Sequence, residues 1–113
     1  MTSTTLTVHG HELPLDKDGY LQHLQDWSEP VAEALAAQEG LHLTADHWEI
    51  LHLLRTFYSQ FQLSPANRPL IKFVAQNLGA EKGNSLHLNL LFKGTPAKLA
   101  AKLAGLPRPT NCL

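Results

Sequence analysis

A chain with one cysteine cannot close a disulfide on itself, and this one has only Cys112 among its 113 residues. A thiolate metal site, which needs several such ligands, is excluded along with it. Charge of either sign is also in short supply, with nine Lys and Arg against ten Asp and Glu. The formal net charge of −1 gives no general attraction for a phosphate backbone, so no direct DNA binding is expected. No apolar run approaches the ~18 residues of a membrane-spanning helix, so no membrane partner is expected either. The stretch "MTSTTLTVHGHE" lacks a basic segment leading into an apolar one. It argues against a signal peptide and for the cytoplasm, where a free thiol stays reduced. Histidine is the exception to this scarcity: with seven of them, mild acid would make the chain cationic.

What is present suits one domain with its own core, spanning residues 1–113, since 43% of the residues are hydrophobic. Residues 1–22 alternate apolar and polar around His9-Gly10, and Asp18-Gly19 is a second turn signal. Pro14 cannot donate to a ladder, which limits this region to a small edge hairpin. Residues 26–105 are helical in pattern. "DWSEPVAEALAAQEG" places Pro30 near a helix start and Gly40 just past its end. "TADHWEILHLLRTFYSQF" is the strongest helix, with Thr44 as cap and His47, Ile50, Leu51, Leu54, Phe57, Tyr58 and Phe61 on one face.

Pro65 and Pro69 suit a helix start better than an interior, so a third helix is expected over 70–78. The segment 86–91 is read as a buried helix through Leu86, Leu90 and Leu91, because no strand is at hand to pair with it. A last helix opens at Thr95-Pro96, carries Leu99 and Leu103 as its apolar stripe, and stops at Gly105 with Leu106 placed for a Schellman contact. The fold class is therefore mainly α: a small orthogonal helical bundle with an N-terminal β-hairpin and an extended C-terminal arm, residues 106–113.

The arm, "GLPRPTNCL" from Gly105, raises the question of chemistry. A thiolate is the reactive form of cysteine, and access is easy near a chain end. Arg108, Lys102 and Lys98 would favour the thiolate if the arm folded back, while the α-carboxylate of Leu113 opposes it. Pro107 and Pro109 favour the polyproline conformation, at ~3.1 Å per residue, so Leu106 to Cys112 would project roughly 20 Å from the helix end. A stiff tether bearing one thiol suits delivery of sulfur into another protein's cleft. The plainer alternative is a surface cysteine without a role. Without a second cysteine, any covalent product is a persulfide, a mixed disulfide or an intermolecular dimer.

Other residues are weaker candidates. Arg55, Arg68, Lys72 and Lys93 would line a basic patch for the arm's carboxylate or a partner's acidic surface, unless they are merely solvated helix faces. His9 and His11, or His47 and His52, lack the spacing and the companion ligands of a metal site, so no metal is expected. Trp27, Trp48, Phe57 and Tyr58 read as core.

With "LTADHWEILHLLRTFY", "SPANRPLIKF", "LHLNLLFKGTPAK" and "AGLPRPTNC" in this order, nearly the whole chain resembles the TusE/DsrC/DsvC sulfur-relay family. The resemblance implies a sulfurtransferase of the persulfide-carrier type, with Cys112 accepting sulfane sulfur and Gly105, Leu106, Pro107, Arg108 and Pro109 positioning the arm and docking it. No cofactor is implied. The DsrC branch carries a second arm cysteine about a helix length upstream, where this chain reads "KLAAKLAG" with Ala101 and Lys102. One cysteine matches the TusE branch, which relays sulfur from the TusBCD complex to the tRNA 2-thiouridylase MnmA. The implied partners are thus a TusBCD-like donor and an MnmA-like acceptor, with tRNA met only through the acceptor. The alternative within the family is a DsrC-like binding or regulatory partner of a sulfite-reductase-type enzyme.

Overall fold

The computed structural model describes residues 4–109. The chain runs through β1 (Thr4–Val8), β2 (His11–Leu15), a single 3-10 turn at Leu24–Asp26, α1 (Glu29–Gln38), α2 (Ala45–Phe61), α3 (Asn67–Leu78), α4 (Ser85–Leu91) and α5 (Pro96–Leu103). The two strands pair antiparallel with Val8 opposite His11. His9 and Gly10 both take positive φ, 51° and 82°, the turn whose twist matches that of the strands it joins. Both strands of a two-stranded sheet are edges, so Pro14, opposite Thr5, interrupts no inner ladder. Behind the hairpin, the Asp16 carboxylate accepts from the N–H groups of Asp18 and Tyr20 at 2.8 and 3.0 Å and closes the Asp-Gly turn.

Helix starts follow local chemistry. The Ser28 hydroxyl accepts from the Val31 N–H at 3.4 Å, with Pro30 in the first turn. At α2 the capping group on the third helical residue is a histidine. His47 Nδ1 accepts from the Thr44 N–H at 3.0 Å, and Nε2 lies 2.8 Å from the Leu91 carbonyl oxygen. A carbonyl only accepts, so Nε2 carries the proton and Nδ1 is free to accept. One buried ring therefore satisfies the start of α2 and the end of α4 together.

The core is gathered around α5, which touches each of the other four helices. Pro96, Ala97, Leu99, Ala100, Ala101 and Leu103 are all buried. The small alanines let neighbouring helices approach on nearly every side, so α5 is a central helix rather than the one-sided helix its two leucines suggest. Ile50, Leu51 and Leu54 of α2, Leu70 and Val74 of α3, Leu88, and Phe92 just beyond α4 pack with it. The loop into α4 is drawn equally tight: a Cβ on Gly83 would stand 2.2 Å from the backbone nitrogen of Ala75.

Three boundaries or faces differ from expectation. Helix α3 begins at Asn67 rather than Leu70, because Pro69 in its first turn removes an N–H that has no intrahelical partner there. The segment 85–91 is a helix, capped by Asn84 through the His87 N–H at 2.8 Å, but it buries Leu88 and leaves Leu86 and Leu90 exposed. Phe61, at the end of the apolar face of α2, is likewise exposed.

Candidate functional site

Cys112 lies outside the described residues, and the site is built from what launches the arm that bears it. A helix ends with four carbonyls lacking intrahelical partners, and at α5 each of them is satisfied. The Leu106 N–H reaches back to Ala101 at 3.0 Å and the Gly105 N–H to Lys102 at 3.1 Å, the paired bonds of the Schellman motif. Trp27 Nε1 donates to the Leu103 carbonyl at 2.8 Å, and Arg55 donates to Ala104 at 2.6 Å. Gly105 supplies the positive φ, 74°, that turns the chain. The Arg55 guanidinium also lies over the Trp27 ring, 4.2 Å from its centroid. Burial pulls the Arg55 pKa below its ordinary value, which leaves an arginine charged at neutral pH. Lys102 pairs with Glu39 at 3.1 Å, tying the same end of α5 to the C-terminus of α1.

Beyond Leu106, which is buried, residues 107–109 lie against the body; the remainder of the span expected to project, up to Cys112, lies outside the described residues. The Ser64 hydroxyl donates to the Pro107 carbonyl, Arg108 forms an ion pair with Asp18, and Pro109 is buried. An extended backbone without helix or ladder partners has its carbonyl and cation free for the body, and the body offers Ser64 and Asp18. A groove of about 720 Å³ runs between Asp16, Tyr20, Leu21, Gln22 and the arm. The Asp18–Arg108 pair is solvent-exposed on both sides, so Asp18→Asn is expected to lower stability by less than about 1 kcal/mol. Urea denaturation checks this, and a loss above about 2 kcal/mol would show that the pair holds more than the arm.

The four residues of the expected basic patch have different surroundings. Arg55 serves the end of α5, and Lys93 donates to the Glu39 carbonyl at the end of α1. Arg68 and Lys72 are exposed and one turn apart on α3. Of the paired histidines, His47 faces the core. His52 faces outward, stacked on Trp48 at 5.9 Å, edge-on to Trp27 at 6.0 Å, and 3.2 Å from the Glu29 carboxylate. Among the described residues no group of three or more His, Cys, Asp or Glu is placed to hold a metal ion. No described helix is long and apolar enough to cross a membrane. Ser64, Asp18 and Trp27 are the arm-positioning residues that sequence patterns do not single out. The Asp18-Gly19 signal marks a turn rather than a partner, Trp27 reads as core, and Ser64 stands in "SPANRPLIKF" without a role of its own.

The chain is similar to known proteins over nearly its whole length. Residues 7–113 match the family model described as DsrC like protein. The Haemophilus influenzae protein named Sulfurtransferase TusE homolog is 51% identical, over 96% of this chain and 99% of that one. Sulfurtransferase TusE of Sodalis glossinidius is 51% identical, over 96% of this chain and 100% of that one. Among solved structures, Allochromatium vinosum DsrC superposes with a TM-score of 0.90 at 46% identity, covering 99% of this chain and 100% of that chain. The oxidized γ-subunit of dissimilatory sulfite reductase (DsrC) from Archaeoglobus fulgidus gives 0.84 at 37% identity, covering 97% and 100%.

Proposed function

The chain belongs to the DsrC-like family and is a sulfurtransferase of the sulfur-relay kind, and on that premise we propose that Cys112 carries the sulfur as a persulfide. The donor is a TusBCD-like complex, and the acceptor is an MnmA-like enzyme that thiolates the wobble uridine of tRNA, both in the cytoplasm. One observation carries this reading: relatives about half identical over nearly the full chain are named sulfurtransferases, and this chain has a single sulfur nucleophile to do the work.

The exchange balances without any external oxidant. The Cys112 thiolate attacks the outer sulfur of the donor's Cys–S–S–H. A new S–S bond forms on Cys112, the donor's S–S bond breaks, and the donor cysteine leaves as a thiolate with the electron pair. Repeating the step at an acceptor thiol returns Cys112 to its starting state. The residues 105–109 act as positioning groups, because Ser64, Arg55, Trp27 and Asp18 fix where the arm leaves the body.

A purified cysteine desulfurase and TusBCD-like complex, supplied with ³⁵S-cysteine, test the proposal. Wild type is expected to gain label that a reducing agent removes, and Cys112→Ser to gain none. Equal labelling of the two proteins would sink it. In cells, Cys112→Ser is expected not to restore 2-thiouridine to a deletion strain. The DsrC-named structural neighbours favour one second reading: a docking or regulatory partner of a sulfite-reductase-type enzyme, in which Cys112→Ser would bind and act as wild type.

A further inference from the structure

Two apolar side chains stand in solvent beside the root of the arm. Phe61, the last residue of α2, is 52% exposed and Leu63 is 50% exposed. Leu63 immediately precedes Ser64, the residue whose hydroxyl holds the Pro107 carbonyl. Phe61 is held in place by other rings: it lies 4.6 Å from Phe57, and Phe57 lies 5.0 Å from Phe73. Arg68 and Lys72 are exposed along the adjoining helix α3, with Lys72 next to Phe73 in the chain. The exposed pair is thus an aromatic packed against other rings and an aliphatic side chain, with exposed cations on the next helix.

Chain length says what covers it. Pro109 is buried against the body and Cys112 follows three residues later, so the cysteine Cα lies within about 11 Å of that of Pro109, and within about 18 Å of that of Pro107. Any protein thiol that exchanges sulfur with Cys112 must come inside that radius. A stable interface covers ~800 Å² on each partner, a disc of roughly 16 Å radius. A partner surface of that size, with its thiol within reach of the cysteine, is broad enough to take in the ground around Pro107 and Ser64, beside Leu63 and Phe61.

Resting on the proposed relay, we infer that Phe61 and Leu63 form the docking face for the donor, the TusBCD-like complex from which Cys112 takes sulfur. That partner presents an apolar recess beside its own reactive cysteine, with acidic residues where Arg68 and Lys72 approach. Aromatic anchors in such recesses carry much of an interface's binding energy. Leu86 and Leu90 on α4 are more exposed still, at 70% and 75%, but they belong to the other end of the molecule. His47 holds the end of α4 at the start of α2, and Phe61 is fourteen residues further along, about 21 Å by helical rise.

The test uses the full-length chain and a purified TusBCD-like complex. The Phe61→Ser/Leu63→Ser double variant is expected to raise the KM for sulfur uptake from the complex at least tenfold, with kcat within twofold and persulfidation by inorganic polysulfide unchanged. Leu90→Ser is expected to match wild type in all three. Leu63→Asp alone, at an exposed position outside any helix, carries the test if Phe61→Ser weakens α2, and the same rise in KM is expected. Measuring Kd in the Cys112→Ser background separates docking from chemistry. If wild type takes no label yet the double variant loses affinity, the relay reading fails and the docking face stands. Unchanged KM and Kd in both variants would overturn the docking face, as would a loss of self-association in place of partner binding, which would make a second copy the occupant.

Discussion

Gly105→Ala is expected to cost about 2–4 kcal/mol of stability and to lower the melting temperature by about 10 °C or more. Two independent penalties add. A residue with a Cβ resists the positive φ of 74° held by Gly105, and the Cβ itself would stand 2.4 Å from Trp27 Cδ1, so the indole must move. That indole donates to Leu103 and supports Arg55, which donates to Ala104. One methyl group thus strains the turn and pushes aside the partners of two terminal carbonyls of α5. Urea denaturation measures the loss, and a cost below about 1 kcal/mol would mean that the chain turns there without the packing described.

Trp27→Ala is expected to cost about 3–5 kcal/mol, the range for removing a large aromatic from a packed site. The half-buried position places the expectation toward the lower end. Two further variants divide the effect. Trp27→Phe keeps a ring but leaves the Leu103 carbonyl without its donor, an expected loss of about 1–3 kcal/mol. Pairing Trp27→Ala with Arg55→Met in a double-mutant cycle is expected to give a coupling of about 0.5–2 kcal/mol, since each side chain holds the other. Strict additivity of the two would show that the guanidinium is held by the Ala104 carbonyl alone.

Local chemistry is what the sequence makes legible. Turns at His9-Gly10 and Asp18-Gly19, the cap at Thr44 and the Schellman stop at Gly105 each involve residues a few positions apart, and each stands where the pattern places it. The helical reading of 85–91 also holds, while the face it buries does not. In the run 85–91 leucines at 86, 88 and 90 alternate with His87 and Asn89, so the polar residues mark no single helical face, and the choice falls to α5, beside which Leu88 is buried. The launch of the arm is legible in Gly105 and Leu106 but not in their partners. Trp27, Arg55, Ser64 and Asp18 stand 43 to 90 positions from the arm-end groups they hold, beyond any periodicity. For the same reason Pro107 and Pro109, read alone, suggest a free spacer, whereas the surface beneath them turns the spacer into a fixed strap.

That strap changes the arithmetic of encounter. With residues 107–109 anchored, three residues of chain set the greatest distance from Pro109 at which the Cys112 sulfur can react. Once a partner has settled beside it, the two sulfurs meet as though dissolved at millimolar concentration or above. Such a carrier has no need to grip its donor or acceptor tightly. Brief, weak contacts suffice for transfer, and weak contacts allow one small protein to leave one enzyme and find the next.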